Sequence, residues 1–130
     1  MPAGEAFSDR QHDEIVRAIE FAQEVAGLPV SVFVGTLEGE PRAYAERLHG
    51  ALDGDSAQAV LVAVDPGARR LEIVSGRGVR QRVDDRTCGL AALTMTSSFE
   101  GGDLAGGIAA GVRLLADHAR TPETLHVRQS

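Results

Sequence analysis

The stretch "AVLVAVDPGARRLEIVSGRGVRQRVDD", residues 59–85, decides the fold. Its first part, "AVLVAV" at 59–64, is apolar at every position, as expected of a central strand covered on both faces. "DPGA" at 65–68 then places Pro and Gly where a tight reversal wants them. "RLEIVS" returns as a second β-rich run, so the two predict an antiparallel hairpin. Beyond it come a Gly-x-Gly turn and two adjacent aspartates, either of which, Asp84 or Asp85, can cap a following helix.

Working outward, Ser8 with Gln11 forms a capping-box signature for a helix beginning near Asp9. Ile15, Ile19, Ala22 and Ala26 recur on it at helical spacing, and Gly27 followed by Pro29 ends it. "VSVFVG" at 30–35 reads as a strand. Pro41 opens a second helix, with Tyr44, Leu48 and Leu52 as its apolar stripe and "DGD" at 53–55 as its stop. The helix after the aspartates runs to about Ser98. Asp103 caps a fourth, in which Gly106, Gly107 and Gly111 allow close approach of its backbone. The order is α-β-α-β-β-α-α, a small mixed β-sheet flanked by helices. Residues 1–7 form an N-terminal tail, 8–119 a single domain, and 120–130 a tail or a short edge strand at "LHV".

Composition narrows the chemistry. The chain has 130 residues, 43% hydrophobic and 25% charged, as in an ordinary globular domain. All 13 basic residues are arginine, which excludes lysine Schiff-base chemistry, a P-loop lysine and a Ser–Lys dyad. Net charge is −6 and aromatics make up 4%, a poor match to nucleic acid, which wants cationic faces and stacking rings. Within that acidic chain, residues 66–86 hold six arginines against three acids. One cysteine, Cys88, excludes an internal disulfide or a cysteine-cluster metal site. The absence of a basic start followed by an apolar run, and of a stretch long enough to span a bilayer, gives a cytoplasmic, non-spanning expectation.

The 71–86 stretch admits two competing readings. Gly76 and Gly78 would let backbone approach an anion that Arg77, Arg80 and Arg82 neutralise. Asp84 and Asp85 instead suit a hard cation, Ca²⁺ or Mg²⁺. The plainer reading makes the glycines a turn, one aspartate a helix cap and the arginines solvent-facing. "DGDS" at 53–56 follows a helix rather than a strand, so it is a turn and not a phosphotransfer nucleophile motif. His12, His49, His118 and His126 lack an i, i+4 pairing for zinc, and a partly buried structural role is expected for His49. Cys88, near a helix start and Arg86, would have a lowered pKa, but packing is the expected role of a lone cysteine there.

Three stretches carry a family resemblance. "FS" at 7–8 matches a Leu-Ser helix start. "RRLEIVSGRGVRQRVDD" aligns Gly76, Gly78, Val79, Val83 and Asp85 with a strand, Gly-x-Gly-aliphatic, aliphatic-x-Asp pattern. "FEGGDLAGGI" at 99–108 aligns Phe99, Gly102, Asp103 and Gly107. On these, the chain resembles the TPM domain of the thylakoid acid phosphatase and a photosystem II repair factor, and most closely an uncharacterised actinobacterial group. The resemblance implies an αβα sandwich and, in some members, calcium binding with slow acid-phosphatase activity.

It also marks departures. "PAGEA" at 2–6 lacks the family's aspartate before the first helix, "SAQA" replaces its Asn-Gly, and Arg80 stands where it has glutamate. The acidic set shrinks to Asp84 and Asp85, with Asp55 or Asp65 as loop acids that could supplement it. Three functions follow as expectations. The first is a non-catalytic interaction or stress and envelope-maintenance module with an unidentified protein partner. The second is a weak phosphatase dependent on Ca²⁺ or Mg²⁺ and built on Asp84 and Asp85. The third is an anion or phospho-partner binding module built on the arginines.

Overall fold

Alternate side chains of the central strand leave on opposite sides, and both sides are covered. The computed structural model describes residues 7–120. Its sheet has three strands, β1 (Val30–Val34), β2 (Val60–Asp65) and β3 (Arg70–Ser75), in the order β1-β2-β3. β1 runs parallel to β2 in the register Val32↔Val62, and β3 pairs antiparallel through Val62↔Ile73. The hairpin expected from "DPGA" is therefore present, as is the α-β-α-β-β-α-α order.

Val60, Val62, Val64 and Ile73 face one core, shared with α1 (Asp9–Ala26), α3 (Asp85–Glu100) and α4 (Leu104–Ala119). Leu61, Ala63 and Val74 face a smaller core under α2 (Pro41–Gly50), with Ala45, Tyr44 and Leu48. A mixed sheet is thus covered by one helix on one side and three on the other. Parallel β1 and β2 need a crossover between them, and α2 is that crossover. A strand buried on both faces has no place for a polar residue, which explains the unbroken apolar run at 59–64.

Local signals act where they were read. Ser8 caps α1 reciprocally, its Oγ accepting from the Gln11 amide at 3.1 Å while its own amide donates to Gln11 Oε1 at 2.8 Å. Gly27, with φ 58°, ends the helix in a left-handed turn, and the Leu28 amide donates back to the Ala22 carbonyl. Asp103 caps α4 by accepting from the Gly106 amide at 2.9 Å. Inside α4, a Cβ at Gly111 would lie 2.6 Å from Met95 Cγ, so the missing side chain is what seats α3 against α4. α2 stops at Gly50, ahead of the "DGD" turn, and two short 3-10 turns at Ser56–Gln58 and Arg77–Val79 were not anticipated. The "LHV" segment lies outside the described residues.

Asp65, at the end of β2, is buried and fully used. Its Oδ2 accepts from the Leu37 amide at 3.0 Å and its Oδ1 from the Ala68 amide at 3.1 Å. It ties the β1–α2 loop to the hairpin turn, so its carboxylate closes loops rather than facing a ligand.

Candidate functional site

The Gly-x-Gly segment is a backbone contact before it is anything else. Gly76 donates its amide to the Ala59 carbonyl at 2.8 Å. A Cβ there would lie 2.5 Å from the Ala57 carbonyl carbon, closer than any real side chain tolerates. At Gly78 the added carbon would meet Gln58 Cδ at 2.8 Å and the Ala57 oxygen at 3.0 Å. The two 3-10 turns, 56–58 and 77–79, therefore press together at the N-terminal end of β2. Asp55 caps the first of them through the Ala57 amide. His49 is half-buried and its Nε2 lies 3.0 Å from the Ala59 carbonyl, the structural role its sequence setting suggested. Buried Val79 and Val83 anchor the second turn in the main core.

The charged residues around this contact divide sharply. Arg82 is half-buried, and its guanidinium donates to the Ala119 carbonyl at 3.0 Å and to the Ala26 carbonyl, the last residues of α4 and α1. Arg80 is exposed and donates through Nε to the Ser75 carbonyl at 3.3 Å. Arg77 is exposed on its turn. Asp84 is the N-cap of α3, accepting from the Thr87 amide at 2.9 Å. Asp85 is exposed in the helix's first turn.

The Thr87 amide and hydroxyl hold the Asp84 carboxyl below its ordinary pKa, with Arg86 assisting. A depressed carboxylate stabilises the fold fully above its unfolded pKa, about 4, and that stabilisation is lost as pH falls through the lower folded value. Asp84→Asn keeps a competent cap and is expected to flatten stability across this acid window. Asp84→Ala loses the cap and is expected to lower stability at pH 7. Urea denaturation from pH 2 to 7 checks both.

As a divalent-cation site the corner does not fit. A hard cation takes six or more oxygens, whereas an Asp84 oxygen is committed to Thr87. Among the described residues no group of three or more His, Cys, Asp and Glu side chains comes together. Cys88 reverses the sequence expectation for its acidity. Burial pushes the thiol up, against the hydroxyl of Ser75 at 3.4 Å, and the charge of Asp85 raises it further. A half-buried thiol of raised pKa is a packing group rather than a nucleophile.

At the opposite end of the sheet lies a concavity of about 550 Å³ that the sequence reading missed. Leu71, Phe99 and Leu104 supply apolar lining, with Arg69, Arg70 and Glu100 around it. "DPGA" was read as a turn, "RLEIVS" as a strand and Asp103 as a helix cap; that these segments meet here depends on pairing across the sheet and on α3 packing, which no local pattern encodes. The nearest signal was the pair of arginines directly after the hairpin turn.

Comparison with known proteins agrees on architecture. The NMR structure of BA42 protein from Bizionia argentinensis is similar with a TM-score of 0.76 at 19% identity, covering 87% of this chain and 81% of that one. The N-terminal domain of cg2496 protein from Corynebacterium glutamicum is similar with a TM-score of 0.72 at 16% identity, covering 87% and 74%. At such identities the likeness concerns the fold alone. Two uncharacterized Mycobacterium tuberculosis proteins, Rv2468c and MT2543, are each 27% identical over 99 residues, or 76% of this chain. The chain spans 59% of the length of these relatives. Residues 2–116 match a domain of unknown function, DUF5130, and the chain belongs to that family.

Proposed function

We propose that the domain is a non-catalytic interaction module, TPM-like in descent, whose acidic corner has been taken over by the fold. The carrying observation is the commitment of that corner. Asp84 caps a helix, Arg82 holds two helix ends, and Gly76 closes one backbone against another. A general acid, a metal ligand or a phosphate cradle needs these groups uncommitted and converging. The raised Cys88 thiol supports the same reading. So does the presence of Arg80, a cation, where a TPM-like site would carry glutamate.

The test is hydrolysis of p-nitrophenyl phosphate by the full chain with Ca²⁺, Mg²⁺, Mn²⁺ or chelator, alongside Asp85→Asn. Turnover indistinguishable from buffer is expected in every arm. Metal-dependent turnover that Asp85→Asn abolishes would refute the proposal in favour of a phosphatase.

One observation favours a second reading, an anion or phospho-partner binding module. Arg77 and Arg80 are exposed on one turn, and neither joins an ion pair among the described residues. Thermal stabilisation by inorganic phosphate that is lost in Arg80→Ala, without turnover, would support it.

A further inference from the structure

We infer that the concavity between the hairpin turn and the α3–α4 turn binds a small amphiphilic monoanion, an organic carboxylate carried on an apolar body. This site lies at the other end of β2 from the Gly-x-Gly corner and goes beyond the reading of that corner.

The volume comes first. About 550 Å³ falls within the range of small-molecule sites, typically about 300–1,000 Å³. Its apolar lining, Leu71, Phe99 and Leu104, comes from one strand and two helices, so the surface is built on regular elements. Such a surface, left open to water, gains free energy when an apolar body covers it.

The charges select the head group. Arg69 and Arg70 join no ion pair among the described residues. Asp65 also borders the space, but its two oxygens already accept the Leu37 and Ala68 amides. Asp65 keeps its charge but is buried, so the charged groups exposed around the space are Arg69, Arg70 and Glu100. Two exposed guanidiniums beside two carboxylates, of which only Glu100 is exposed, suit a monoanion better than a phosphate dianion, which both carboxylates would repel. Guanidinium matches carboxylate geometry through paired N–H donors.

Arg69 adds an independent sign. It is the one non-glycine residue among those described with a positive φ, at 57°. That left-handed conformation disfavours an arginine, and a glycine would make the same turn without strain.

The experiment titrates the ¹⁵N-labelled full chain with decanoate below its micellar range and follows amide shifts. NMR is the direct readout, because the chain has no tryptophan. One-site saturation below about 1 mM, with shifts centred on residues 69–71 and 99–104, is the expected result. The double variant Arg69→Gln/Arg70→Gln should weaken binding at least about ten-fold, and decanol should bind at least about ten-fold more weakly than decanoate. Glu100→Gln, an exposed change that leaves the fold intact, should tighten decanoate about two-fold. Equal binding of decanol and decanoate would overturn the inference, as would weakening by Glu100→Gln. So would absence of saturation, or inorganic phosphate reproducing the decanoate shifts.

Discussion

Replacing Gly76 with alanine is expected to remove about 4 kcal/mol or more of stability, a large share of what a domain of this size possesses. The new Cβ would fall against the backbone of Ser56 and Ala57, 2.5 Å from the Ala57 carbonyl carbon. Backbone cannot rotate away as a side chain can. The two 3-10 turns would have to separate, and the Gly76 amide would lose the Ala59 carbonyl at 2.8 Å. Gly78 is the internal control, because its added carbon meets mainly the Gln58 side chain, with Cδ at 2.8 Å and the Ala57 oxygen at 3.0 Å. Gly78→Ala should cost about 1 kcal/mol, and most of that should return when Gln58→Ala is added. The same Gln58→Ala change should not rescue Gly76→Ala. Urea denaturation of the four variants gives the comparison. Equal costs for the two glycines would mean that the turns are not in backbone contact, and the Gly-x-Gly segment would again be open to a ligand.

The contrast between these glycines shows where sequence stops speaking. Structure governed by neighbours within a turn or two is legible, because capping and reversal chemistry is local. The Ser8–Gln11 box, the hairpin after Asp65 and the Asp84 and Asp103 caps all belong here. The apolar run at 60–64 also predicts its own burial. Commitments made across the fold are not legible in this way. Arg82 reaches carbonyls 37 and 56 positions away, and nothing in "VRQRVDD" distinguishes it from Arg77 or Arg80. Asp65 similarly looks like any turn aspartate until Leu37 arrives from another loop. For the same reason the 69–71 and 99–104 segments could be read as a turn leading into a strand and as a helix start, but not as two walls of one space. The exposed arginines and the committed one share a residue type, so composition alone does not tell them apart.

Arg82→Ala is the second large effect, expected at about 3 kcal/mol. The last carbonyls of a helix have no partner within it, and both α1 and α4 end here. The α1 terminus has no basic residue in its last turn. One guanidinium answers both ends, donating through Nε to Ala119 and through Nη2 to Ala26. Hydrogen bonds to a charged group contribute about 1.5–3 kcal/mol each, and the positive charge also meets the negative ends of two helix dipoles. Because α1 and α4 pack along each other, loosening one end weakens a large shared interface. Arg82→Lys should recover only part of the loss, since an ammonium on a thinner stem cannot present the planar fork that two diverging carbonyls require. Arg82→Met, which retains stem packing without charge, should resemble alanine more than lysine. Amide exchange offers a local check, with protection falling first near residues 22–28 and at the end of α4. Were Arg82 chiefly an anion ligand, these variants would keep full stability and lose only phosphate-induced stabilisation. Loss of stability with Arg80→Ala remaining near neutral would establish that the two arginines, two positions apart in the chain, serve the fold and the surface respectively.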